Sequence, residues 1–133
     1  MTTEVGQPVG LGTDLTEVDA LRRALRRRPG LRTRLFTDDE WDYAARHRDP
    51  LPHLAGRFAA KEAVMKCLGA GMDRVAFTDI EVRHLDSGAP TVVLSGRAAT
   101  RAHELGVERW WLSLTHTTTL AQAVALAVGG ADR

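Results

Sequence analysis

The spacing of apolar positions along this chain switches between a helical and a strand period, and the switches divide it into elements. Pro8 to Asp14 is short, apolar and glycine-bearing, as a first strand would be. Val18, Leu21 and Leu25 then recur at helical spacing and predict a helix from Glu17 to about Arg28. Thr16 is positioned to cap it, Glu17 and Asp19 fall where the helix dipole favours acids, and Pro29-Gly30 ends it. Thr37-Asp38-Asp39-Glu40 has the hydroxyl-then-glutamate spacing of a capping box, which starts a helix from Asp38 to about Arg46 that buries Trp41. Pro50 and Pro52 interrupt. A longer helix runs from about His53 to Leu68, stopped by Gly69 and Gly71.

The second half changes period. Phe77, Ile80, Val82 and Leu85 predict a strand from Ala76 to Leu85, Asp86-Ser87-Gly88 is a turn signal, and Thr91 to Leu94 closes a hairpin. Arg97 to Leu105 reads as a helix ended by Gly106. Trp110 to Thr115 and the apolar run Leu120 to Val128 read as two strands, the second buried, joined through His116-Thr117-Thr118-Thr119. One strand, a helical block, a hairpin, one helix and two strands predict an α+β fold with a mostly antiparallel sheet packed against helices. Residues 1–7 read as a loose tail and residues 8–133 as one domain.

Composition narrows the setting. A chain of 133 residues with 44% hydrophobic content can bury one core. Its single cysteine, Cys67, permits no internal disulfide and lies in an apolar helical context, as a small buried hydrophobe does. The polar start is unlike a signal peptide, and no segment reaches the roughly 20 apolar residues of a membrane span. A soluble cytoplasmic protein is expected. Net charge is only +1, yet Arg22, Arg23, Arg26, Arg27, Arg28, Arg32 and Arg34 fall together with no acid among them. Such a patch can recruit an acidic partner. It also supports an alternative reading, a non-catalytic arginine-rich module binding an acidic protein or RNA. Aromatic content of 5% offers few base-stacking platforms for single strands, which counts against the RNA form.

The candidate chemistry lies in two stretches. Glu62 and Lys66 are four apart and share a helix face, either as a surface ion pair or as an acid and a base for chemistry. Arg57 and Lys61 are also four apart and both cationic, so an anion is needed nearby. Ala55, Gly56, Ala59, Ala60 and Ala63 leave room against this helix for a ligand or a closely packed element. Asp14 ends the glycine-bearing strand. Should Asp14 and Glu62 converge, two carboxylates and a lysine could hold a hard divalent cation against a phosphate. Gly69-Ala70-Gly71 follows a helix instead of preceding one, so the dipole there repels phosphate and a cation must hold any phosphate nearby.

Gly10-Leu11-Gly12-Thr13-Asp14-Leu15, the stretch Arg57 to Ala63 with Lys66, Gly69-Ala70-Gly71, Asp79-Ile80-Glu81-Val82, Asp86-Gly88-Pro90 and Leu112-Ser113-Leu114-Thr115-His116 stand in the order found in the holo-[acyl-carrier-protein] synthases, the small branch of the 4'-phosphopantetheinyl transferase superfamily. The chain resembles that family over about residues 8 to 128. The resemblance implies transfer of the phosphopantetheine arm of coenzyme A to a serine of an apo acyl carrier protein, with release of adenosine 3',5'-bisphosphate. It implies catalytic roles for Asp14, Glu62 and Lys66, with Asp14 and Glu62 binding Mg²⁺ and Lys66 contacting phosphates. Arg57, Lys66, Gly69, Gly71 and His116 correspond to coenzyme-contacting positions. The base that deprotonates the serine is Glu62 or a metal-bound water on this reading. The arginines from Arg22, Arg23 and Arg26 onward match the region that meets acidic carriers, whether of fatty-acid, polyketide or peptide synthesis. The family is typically homotrimeric, with its active site between subunits. Some relatives carry an acid after the histidine; here Thr117 stands there, which favours coenzyme contact over proton transfer for His116.

Overall fold

The computed structural model describes residues 6–130. In chain order the elements are β1 (Pro8–Glu17), α1 (Val18–Arg27), α2 (Leu31–Leu35), α3 (Asp38–Ala45), α4 (Leu51–Leu68), a 3₁₀ turn (Phe77–Asp79), β2 (Ile80–His84), β3 (Pro90–Leu94), α5 (Gly96–Glu104), β4 (Val107–His116) and β5 (Leu120–Gly129). The strands form a three-stranded sheet in the order β1-β5-β4 and a separate β2-β3 hairpin, every pairing antiparallel. The expected α+β plan is therefore present, with two sheets in place of one. Most of the expected 1–7 tail lies outside the described residues; at its inner end, Gln7 already accepts from the backbone N–H of Gly129.

Helix α4 crosses one face of the three-stranded sheet at very close range. Ala121, Ala123, Ala125 and Ala127 of β5 are fully or almost fully buried, as are Ala59, Ala60 and Ala63 of the helix. The β1 contact is tighter still. A β-carbon on Gly12 would collide with the carbonyl oxygen of Ala63, and one on Gly10 would lie 2.6 Å from that of Cys67. The small residues of α4 thus serve close packing against the sheet. Cys67 is buried there, its thiol 3.3 Å from the carbonyl oxygen of Ala125. β5 is covered on this face alone; Leu120 and Val124 on its other face are partly exposed, so the fully buried strand expected is half-buried. Leu11, Leu126 and Trp111 form one cross-strand row on that outer face, and Leu11 and Trp111 are 70% and 62% exposed.

Several boundaries move for local reasons. Thr16 does not cap α1. Strand pairing continues to Glu17 opposite Leu120, and the N–H of Val18 is satisfied by the carbonyl of Thr119. α4 starts at Leu51, with Pro52 in a first turn whose N–H groups have no helical partner, so proline is tolerated. Ala76 to Asp79 is not strand, because the Asp79 carboxylate accepts from the N–H of Ala76 and folds a 3₁₀ turn. Trp41 is half-buried under the Arg32 guanidinium, 4.0 Å from its ring centroid. Gly69 ends α4 as expected, at φ 62°, in the left-handed region that suits glycine.

The Thr37–Glu40 capping box forms and also reaches the core. Glu40 accepts from the Thr37 N–H at 2.9 Å and the Val82 N–H at 2.9 Å, and lies 2.6 Å from the ammonium of Lys61. Lys61 is fully buried and donates further to the carbonyls of Phe77 and Ile80 at 2.9 and 2.8 Å. The anion required beside Lys61 is therefore Glu40, which acts on Arg57 only through its charge. Burial lowers the Lys61 pKa, and Glu40 opposes that shift.

Two outcomes are expected in denaturant melts. Gly12→Ala forces β1 and α4 apart and lowers stability by about 2 kcal/mol or more. Glu40→Gln keeps the cap's shape but leaves Lys61 charged without a counterion, at a cost of roughly 3 kcal/mol.

Candidate functional site

Because Gly12 lets α4 rest on β1, the residues flanking Ala63 on the helix come down beside Thr13 and Asp14. The Lys66 ammonium donates to the Thr13 carbonyl at 2.7 Å and lies 3.4 Å from Asp14 Oδ1. The Thr16 hydroxyl donates to Asp14 Oδ2 at 3.1 Å. Lys66 thus pairs with the strand carboxylate across the two elements. Glu62 is half-buried, and burial first, then the negative charge of Asp14, push its pKa up, while Lys66 pulls it down. The two carboxylates therefore sense each other across the gap between strand and helix. Both line a cavity of about 590 Å³ whose other walls include Leu21 of α1, Leu35 of α2, Phe58 and Met72.

This donor set fits a magnesium ion. Two carboxylates of raised mutual repulsion, hard oxygens throughout, open onto a cavity with room for phosphate and water, which Mg²⁺ prefers to an all-protein cage. Among the described residues no cluster of three or more metal-binding side chains forms.

Arg57 and His116 lie elsewhere. Arg57 and Glu62 are five positions apart, so they leave α4 about 140° apart around its axis. Arg57 is buried, its guanidinium 4.1 Å from the Tyr43 ring centroid and 3.2 Å from His84 Nδ1. His53 packs on His47 with ring centroids 3.5 Å apart and on His116 at 4.9 Å, and Tyr43 stacks on His84 at 4.5 Å. Burial, then the neighbouring His47 and His116, lower the His53 pKa to about 4. Burial and Arg57 lower that of His84. Sequence reasoning found Arg57 and His116 but missed Tyr43, His47, His53 and His84. No spacing could have signalled them, since they come from α3, the turn after it, α4 and β2.

The remaining candidates divide. Gly69 and Gly71 do not line the carboxylate cavity; Met72, one residue on, does. Thr117 accepts from the N–H groups of Thr119 and Leu120 and so builds the turn after His116. Arg22 is held by Asp49 at 2.7 Å, with Asp19 at 3.7 Å, and so serves an internal ion pair. Arg23, Arg26, Arg27, Arg28 and Arg34 are exposed. Arg23, Arg26 and Arg27 share α1 with Leu21 and Ala24, which wall the cavity, but no arginine lines it.

Comparison with known proteins agrees with this architecture. The model of the 4'-phosphopantetheinyl transferase superfamily matches residues 10–126. A holo-[acyl-carrier-protein] synthase of Caldanaerobacter subterraneus is 43% identical over 90% of this chain and 94% of its own length. One from Streptomyces avermitilis is 46% identical over 91% of this chain and 98% of its own. Among solved structures, a holo-ACP synthase from Plasmodium yoelii superposes with a TM-score of 0.82 at 28% identity, covering 93% of this chain and 97% of that one. The Bacillus anthracis enzyme in complex with CoA (3',5'-ADP) has a TM-score of 0.75 at 30% identity, covering 92% and 98%. The chain thus belongs to the 4'-phosphopantetheinyl transferase superfamily, as an enzyme of its holo-[acyl-carrier-protein] synthase branch.

Proposed function

We propose that this enzyme transfers the 4'-phosphopantetheine arm of coenzyme A to a serine of an apo acyl carrier protein. The serine oxygen forms a bond to the β-phosphorus, the bond from that phosphorus to the bridging oxygen breaks, and adenosine 3',5'-bisphosphate leaves. The observation that carries the reading is that Asp14 and Glu62 line one cavity beside α1, with Lys66 paired to Asp14. Asp14 and Glu62 would hold Mg²⁺, which when bound neutralises charge on the diphosphate. Thr16 and Lys66 fix the Asp14 carboxylate in place. Lys66 also presents positive charge to the phosphates. Glu62 or a water on the cation would take the serine proton. An acidic carrier docks on the arginines from Arg23 onward, which steers encounter and makes the rate salt-sensitive.

Arg57 and His116 contact the coenzyme in this reading. His116 ends β4, which is separated from the Asp14 strand by the whole of β5, roughly 10 Å across two strand spacings. A coenzyme gripped by both groups lies between two copies of the chain. The exposed row on the outer sheet face, with Leu15 at 62% exposure beside it, is an apolar surface of the kind that marks a protein interface. A homotrimer joined through this face completes each site.

Incubation with coenzyme A, Mg²⁺ and apo carrier should add one phosphopantetheine to the carrier, read by mass spectrometry. Asp14→Ala and Glu62→Ala should each slow this roughly 100-fold or more with an unchanged circular dichroism spectrum. Near-normal rates in both would sink the metal assignment. Trp111→Glu should shift the species seen by light scattering toward monomer and reduce activity with it.

A further inference from the structure

A second cleft lies between α5 and the loop that follows α4. Its volume is about 370 Å³, and it shares no lining residue with the carboxylate cavity. Arg74 enters it from the loop, and Arg97 and Arg101 enter it from α5. Glu104 is the one acid among its described walls. None of the three arginines has a carboxylate within salt-bridge distance among the described residues. Asp79 does not line the cleft; its carboxylate accepts from the Ala76 N–H and packs against Gly96.

These cations stand where helix energetics disfavour them. Arg97 is the second residue of α5, at the end where the helix dipole opposes a positive charge, and no acid shares that first turn. Arg101 is four positions on, so two like charges share one helix face. Their placement is explained by an anion that both can meet. Arg101 is anchored for that purpose. Its Nε–H donates at 3.0 Å to the carbonyl of Leu68 in the last turn of α4, which leaves the four N–H groups on its two Nη atoms. The backbone under Arg74 is also held, because the N–H groups of Arg74 and Val75 both reach the Gly71 carbonyl, at 2.9 and 3.1 Å.

The remaining walls describe the rest of the ligand. A volume of this size is at the lower end of small-molecule sites, roughly 300 Å³ and up, and exceeds what a lone phosphate fills. Ala70 and Val75 are buried and give it an apolar side. The Thr100 hydroxyl donates to the Gly96 carbonyl at 3.3 Å, so its lone pairs are left to accept. Glu104 also accepts, and it stands seven residues from Arg97, roughly 10 Å along the helix. We propose that this cleft binds a small hydroxylated phosphomonoester of the sugar-phosphate class. Arg74, Arg97 and Arg101 hold the phosphate, as guanidinium forks do, and Thr100 and Glu104 accept from the hydroxyls. The ligand is held without any covalent change. The site is separate from Asp14, Glu62 and Lys66 and from Arg57 and His116, so it stands or falls independently of the transferase reading.

Titration of the ¹⁵N-labelled full chain with ribose 5-phosphate, followed by NMR, tests this. The Nε–H signals of Arg97 and Arg101 and the backbone amides of residues 70–75 should shift together and saturate. The dissociation constant should lie below about 1 mM at roughly 0.15 M salt. Ribose and inorganic phosphate, run separately, should each bind at least about tenfold more weakly, since each lacks half of the contacts. Arg74→Gln and Arg97→Gln, both exposed and without other partners, should keep the circular dichroism spectrum and each weaken ribose 5-phosphate roughly tenfold. Absence of saturation overturns the site, as do shifts confined to Arg57 and Lys66 or undiminished affinity in both variants. Inorganic phosphate binding as tightly as ribose 5-phosphate overturns the ligand class.

Discussion

The contact between α4 and β1 is the constraint on which the other features rest. At Gly12 there is no room for a β-carbon beneath Ala63. That closeness decides where Glu62 and Lys66 fall, one residue before and three after the contact point. It also explains why Lys66 finds the Thr13 carbonyl and the Asp14 carboxylate instead of its own helical neighbour. A looser packing of the same helix would leave the same residues in the sequence and no convergent site.

The opposite side of α4 is held by different means. Lys61 joins the helix to α3 through Glu40, and to the 3₁₀ turn and the start of β2 through one carbonyl each. Every lone pair and proton of consequence in this buried pair has a partner, which allows two charges to sit in a core. One glutamate therefore caps α3, accepts from β2 and neutralises α4. The helix is clamped from both sides, by steric closeness at Gly12 and by charge at Lys61. Glu62 projects from between the two clamps.

Much of this could be read from the sequence, and the remainder was hidden for definite reasons. The capping box, the Gly69 stop and the α+β plan are local signals, and they held. Asp14, Glu62 and Lys66 were legible because each lies in a short motif, and their meeting follows from glycine and alanine spacing. The failures are tertiary. Thr16 carries the signature of a cap, but strand pairing with β5 satisfied the backbone first. Arg22 counted toward a basic patch until the fold placed Asp49 against it. The histidine cluster gave no warning, because its members are brought together only by the packing of α3, α4, β2 and β4.

The alternation along β5 separates two kinds of freedom for a diverging lineage. Ala121, Ala123, Ala125 and Ala127 have no outlet for added volume, since any growth there lifts α4 and scatters the carboxylates. Leu120, Gln122, Val124 and Leu126 point the other way and bear on what the outer sheet face meets. Successive residues of one strand are therefore under opposite rules. Growth of a side chain is barred on the inner face by α4, and on the outer face only by whatever covers it.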